Sequence, residues 1–305
     1  MIQSDYSHWQ SLPEITTISS EEGLPLILLK GDFGSAKFAI QGAHLIEFTP
    51  KDQPPLLFVS RKSHFAPGKA VRGGIPVIFP WFGPREGYPE APMHGLVRTR
   101  PWTIDSITVP DVGAAKVCFS FVSDAETQSV WPYAFRLKLE FTLGAALEIR
   151  WTVENTGHEA FSFEQALHPY FPVEDVGQAR VSGLQGASYM DKSDHLQRKI
   201  DSASAVTFAA ETDRLYLDTD ATCVLEDPAA GREIIFEKQG SLSSVVWNPW
   251  IAKAAALADL DDADWQRFVC VEQVNAAQNA VQLLPSATHI FAVRYFSQTL
   301  GLIHP

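Results

Sequence analysis

Residues 135–153 read FRLKLEFTLGAALEIRWTV, and they decide the fold class. Phe135, Leu137, Leu139 and Phe141 alternate with Arg136, Lys138 and Glu140. After the turn-like TLGAA, Leu147, Ile149, Trp151 and Val153 alternate with Glu148, Arg150 and Thr152. A period of two puts apolar side chains on one face of an extended chain, so the stretch predicts two half-buried strands joined as an antiparallel hairpin. Outward from it, AKVCFSFV, AFSFEQAL, REIIFEK, SSVVW and ATHIFAVRYF are further strand candidates, separated by clusters of Gly, Asn, Asp and Pro. Helix competes in one place, from Trp250 to about Asp259, where IAKAAALAD has no breaker. The expectation is an all-β chain, a large antiparallel β-sandwich with few short helices. No repeat or linker divides it, so residues 1–305 are expected to form a single domain.

Composition narrows the function. The chain has 305 residues, 46% of them hydrophobic, with 24 Lys and Arg against 36 Asp and Glu, a net charge of −12. Polyanionic partners need broad positive surface, which argues against nucleic acid and against anionic membranes. Cys118, Cys223 and Cys270 stand far apart with no CxxC pair, as expected of buried, reduced thiols. The opening MIQSDYSHWQ lacks a basic and then apolar leader, and LPLILL is far shorter than the roughly 20 residues that span a bilayer. A cytoplasmic monomer is the expectation.

Residues 71–102, VRGGIPVIFPWFGPREGYPEAPMHGLVRTRPW, contain five glycines and six prolines. Proline removes a backbone donor and glycine permits turns, so a shaped loop enclosing one short buried strand, IPVIF, is expected. Arg72, Arg85, Arg98 and Arg100 face only Glu86 and Glu90 in this stretch. A local excess of arginine in an acidic chain suits an anion, whereas the plain alternative is solvated surface charge.

Three titratable residues stand out. His94 ends the loop, and His168 lies in ALHPYF, where Pro169 biases it toward extended backbone. Each suits proton transfer, and each alone is equally compatible with packing. Glu272 follows the apolar run in RFVCVEQ, a placement read here as a strand end whose partial desolvation raises carboxylate basicity. His94, His168 and Glu272 could alternatively hold a metal, although no HxH or HExxH spacing supports it. A carbohydrate-binding sandwich without catalysis, using some of the eight tryptophans, is a second alternative. A retaining glycosidase is a third, with Asp213 the sole obvious partner for Glu272.

RGGIPVIFPWFGP followed by HGLVRTRPW resembles the hexose-6-phosphate mutarotases, which are relatives of the aldose 1-epimerases. HPYF, ETDRLYLD, VVWNPW and RFVCVE continue the resemblance in family order, over most of residues 31–295. It implies a galactose-mutarotase type of sandwich with its core over about residues 31–296. It also implies interconversion of the α and β anomers of a hexose 6-phosphate, glucose 6-phosphate foremost, with unphosphorylated aldoses the alternative substrate. Implied roles are His168 as acid on the ring oxygen, Glu272 as base on the C1 hydroxyl, and Asp213 and His94 as sugar contacts. Arg72 and Arg98 are implied as phosphate contacts. Proton transfer alone accounts for such chemistry, so neither cofactor nor metal is expected. Pro169, Gln273 and Met93 depart from many relatives, which bears on the sugar rather than on the reaction.

Overall fold

The hairpin forms as its alternation requires. In the computed structural model, which describes residues 14–301, Phe135–Leu143 and Leu147–Asn155 pair antiparallel with Leu139 opposite Trp151. Every apolar position of the pair is buried, while the intervening charges face solvent or its margin. The hairpin lies within a nine-stranded antiparallel sheet, between Ala115–Val122 and the long strand Thr288–Thr299.

An eight-stranded sheet packs against it. Its central members are Thr212–Leu217, Ser243–Asn248 and Phe268–Asn275, and beyond these come Gln165–Leu167 and, at the edge, Val77–Ile78. Strand alternation divides the residues of this sheet. Val246, Val269, Val271 and Phe171 join Ile149, Phe291 and Tyr295 in the core between the sheets. Val245, Trp247, Phe268, Cys270 and Val274 form a second cluster on the sheet's other face. Burying both faces explains why Ser243–Asn248 and Phe268–Asn275 are buried at every position.

Two details differ from the sequence reading. AFSFEQAL is two strands: Phe161–Phe163 pairs with Val281–Leu283, and Gln165–Leu167 joins the eight-stranded sheet. The second discrepancy is helical. The expected helix stops at Ala255, and Ala125–Val130 forms another. Asp124 caps the latter through Thr127 N at 2.7 Å, and Thr127 Oγ1 accepts from Asp124 N at 2.8 Å. Threonine stands where a capping box usually carries Glu or Gln, which disguises the signal.

The IPVIF run is buried throughout, but only Val77–Ile78 of it forms a strand. The three cysteines are buried and free. Among the described residues no helix is long and apolar enough to cross a membrane. The opening stretch read for a leader lies outside the described residues.

Candidate functional site

Glu272 sits in the middle of Phe268–Asn275, opposite Val245, rather than at a strand end. Alternation sends it to the outer face with Cys270 and Val274, away from the inter-sheet core. It is 1% exposed. Beside it the ladder is interrupted. Gln165–Leu167 and Tyr170–Pro172 both pair with Phe268–Asn275, and His168 with Pro169 occupies the break. His168 N still donates to Pro76 O at 3.0 Å, so the break is anchored to the Pro/Gly loop.

That break brings His168 Nε2 to 3.3 Å from Glu272 Oε1. Burial pushes the Glu272 carboxyl well above the usual carboxylate range; Lys192 pulls it back and Asp213 adds to the rise. Burial likewise pushes the imidazole of His168 well below its usual value, helped by His94, Arg72 and Arg98. Both directions have the same cause, since burial disfavours the charged form of each group. Glu272 Oε2 and His168 Nδ1 are buried without hydrogen-bond partners.

His94 lies across from this pair, its ring centre 6.1 Å from that of His168. Its backbone is left-handed at φ 65°, uncommon for a residue with a Cβ. Gly95 follows with φ 84°, where a Cβ would come within 2.0 Å of Phe79 O. Gly83 N donates to His94 Nδ1 at 3.1 Å, which fixes the ring proton on Nε2. Burial, then Arg98, Lys192 and Arg72, bring its pKa down to about 3. His94 is thus a neutral donor.

The four arginines of the loop divide in two. Arg85 bonds Val130 O at 2.6 Å and lies over Tyr88, and Arg100 pairs with Glu126 at 2.7 Å, so neither joins the site. Arg72 and Arg98 do. Arg72 precedes Gly73, whose φ of 124° and 2.4 Å Cβ approach to Val59 Cα exclude any side chain. Arg72 Nε and Nη2 each lie 3.1 Å from Asp259 Oδ1, and Nη1 donates to Tyr170 Oη at 3.0 Å. Arg98 has no hydrogen-bond or ion-pair partner among the described residues, and its charge acts on both histidines.

Asp213 lies between two lysines, 3.8 Å from Lys192 Nζ and 3.6 Å from Lys253 Nζ. Its carboxyl rises through burial, opposed by both cations. Lys192 also lies 4.3 Å from the centre of the Phe82 ring. Sequence reasoning missed Lys192, Lys253, Asp259 and the part played by Tyr170. A lysine in the polar turn MDKSD looks like any surface charge, and only the fold brings it beside Asp213. Asn248 has a structural duty: its amide donates to Trp265 O and Phe268 O and accepts from Trp250 N. His94, His168 and Glu272 do not converge as a metal-ligand set.

A β-sandwich presenting a half-buried imidazole in contact with a buried carboxylate, flanked by hydrogen-bonding groups and by an arginine unpaired among the described residues, has the parts of a sugar mutarotase. The sequence matches the aldose 1-epimerase family over residues 25–295, and the chain belongs to that isomerase family. A "Putative glucose-6-phosphate 1-epimerase" of Escherichia coli K12 is 35% identical over 255 residues, 84% of each chain. One of the same description from Cenchrus ciliaris is 30% identical over 283 residues, 90% of this chain and 84% of that one. The crystal structure of a "putative mutarotase" from Salmonella typhimurium superposes with a TM-score of 0.87 at 31% identity, covering 94% of this chain and 95% of that one.

Proposed function

We propose that the chain interconverts the α and β anomers of a hexose 6-phosphate, glucose 6-phosphate first among them. The observation that carries the chemistry is the 3.3 Å approach of His168 Nε2 to Glu272 Oε1. Opening a hemiacetal requires a proton to leave the C1 hydroxyl and another to reach the ring oxygen. Both oxygens are bonded to one carbon, so the two groups serving them must be near neighbours. Glu272 takes the first proton and His168 supplies the second; after rotation about C1–C2, the same pair runs backwards to close the other anomer.

The proton count gives the burial a purpose. With cyclic sugar bound, the pair must stand as carboxylate and imidazolium; once the ring is open, it stands as carboxylic acid and neutral imidazole. Burial favours the neutral arrangement, and so lowers the open-chain state relative to water, where the aldehyde is scarce. An anion held by Arg98 offsets part of the positive field on His168 and helps the imidazolium form. In this reading His94 Nε2–H and Asp213 hold ring hydroxyls.

Exchange NMR on glucose 6-phosphate, with free glucose and galactose in parallel, tests the reading. Faster anomer exchange on the phosphate is the expected result. Equal rates on all three would leave a general aldose mutarotase, and no acceleration on any of them would end the proposal.

A further inference from the structure

A catalytic histidine is commonly oriented by a hydrogen bond from the ring nitrogen opposite the reacting one. His168 Nδ1 is buried and takes no hydrogen bond from any other residue. Rings enclose the imidazole instead. Tyr170 stacks on it with centroids 5.0 Å apart and planes 14° from parallel, and Trp247 meets it edgewise at 5.7 Å. Tyr170 is the broad face against which the imidazole would otherwise turn, and it is 2% exposed. Its backbone is held at both polar atoms, by Gly74 O and Phe58 N. Its hydroxyl accepts from Arg72 Nη1, and Arg72 is held in turn by Asp259. Two of the five N–H donors of Arg72 are thereby engaged before any substrate arrives, and Nη2 lies beside the same carboxylate.

We propose that Asp259, Arg72 and Tyr170 act as one positioning unit: the carboxylate fixes the guanidinium, the guanidinium fixes the phenol, and the phenol ring holds His168 toward Glu272. This assigns Tyr170 and Asp259 as positioning residues for the mutarotase reaction, and gives Arg72 a duty besides any contact with an anion. It rests on the reading of His168 and Glu272 as the proton-transfer pair.

The unit predicts a particular split between kcat and KM. Misplacing a reacting group by about 1 Å lowers rates by on the order of 100-fold, whereas ground-state binding elsewhere in the site survives. Tyr170→Leu removes the ring and should lower kcat 10- to 100-fold; Tyr170→Phe keeps the ring and should retain most of the lost rate. Asp259→Ala releases Arg72, so kcat should fall severalfold on both glucose 6-phosphate and free glucose while KM for the phosphate stays level or drops. Combining Asp259→Ala with Tyr170→Phe should give no more loss than the worse single change, because both cut one chain. Imidazole NMR signals of His168, assigned by comparison with His168→Asn, should broaden or shift in Tyr170→Leu.

Unchanged kcat in folded Asp259→Ala with KM alone altered would overturn the unit and leave Arg72 as an anion ligand only. Tyr170→Phe falling as far as Tyr170→Leu would overturn the role of the ring. Both results presuppose a wild type that accelerates exchange, and an inactive wild type condemns the assigned reaction instead.

Discussion

The two sheets use the same alternation to opposite ends. On the outer face of the nine-stranded sheet, charges stand in cross-strand pairs open to water: Arg136 with Glu154 at 2.8 Å, and Arg294 with Glu237 at 3.1 Å. On the outer face of the eight-stranded sheet, Glu272 and His168 stand at equivalent alternate positions, but the face is covered. Each there retains a polar atom with no partner. A charge in water adds little and perturbs little. One buried without full satisfaction lowers stability, and its proton affinity moves toward the range that proton transfer uses.

The sharpest way to break this comparison is to remove the buried pair. Glu272→Gln keeps the shape and removes the proton acceptor, and His168→Asn removes the donor. Either should slow anomer exchange by roughly 10²- to 10⁴-fold while the fold persists. Near-normal exchange in a folded variant would show that the covered face is structural after all.

The arginines come next. Arg98 makes no hydrogen bond or ion pair among the described residues, so Arg98→Ala should weaken handling of glucose 6-phosphate by about 1.5 to 3 kcal/mol, the range for hydrogen bonds to charged groups, and barely touch free glucose. Arg72→Ala should depress both sugars, since it also releases Tyr170. Inorganic phosphate should compete with the sugar phosphate in the wild type and lose most of its effect in Arg98→Ala. If the two arginine variants act alike on both sugars, a phosphate subsite at Arg98 is excluded.

Stability should move the other way from activity. The folded pKa of Glu272 lies above the ordinary 4.5, so the proton bound there stabilises the fold fully below about 4.5. That contribution fades as pH rises through the raised value. Glutamine mimics the protonated acid, so Glu272→Gln and wild type should melt together near pH 4.5. The variant should become the more stable, by on the order of 1 kcal/mol, as pH rises. Thermal melts across a pH series measure this, and a gap that widens toward acid would mean that the surrounding cations keep Glu272 ionised in the folded state.

How much of this was legible differs between the sheets for a physical reason. The hairpin of residues 135–153 announces itself because one of its faces is wet, and polar residues must mark that face. Ser243–Asn248 and Phe268–Asn275 are covered on both sides, so their sequences carry no period, and Glu272 reads as following a strand when it lies inside one. His168, Glu272, His94, Arg72, Arg98 and Asp213 were singled out by residue chemistry joined to a family resemblance. Lys192 and Asp259 were not, since each becomes a site neighbour only through contacts with residues far along the chain, Asp259 with Arg72 across 187 positions. The helix at Ala125–Val130 escaped because six residues give too short a window for a 3.6-residue period to show.

The smallest effect is expected on the wet face, and it makes the comparison quantitative. Arg136 and Glu154 face each other in register on adjacent strands, with side chains 53% and 37% exposed. An exposed cross-strand pair contributes about 0.2 to 1 kcal/mol, and ions at about 1 M shrink the reach of its charges to roughly 3 Å. Arg136→Ala should therefore lower stability by less than about 1 kcal/mol in dilute buffer, with the difference narrowing in concentrated salt and anomer exchange unaltered. Its neighbour Leu137, wholly buried on the other face of the same strand, provides the scale, since truncating a buried leucine to alanine typically removes about 2 to 5 kcal/mol. A larger loss for Arg136→Ala, or one indifferent to salt, would mean that its aliphatic stem packs on the sheet and that the wet face bears more of the fold than its charges suggest.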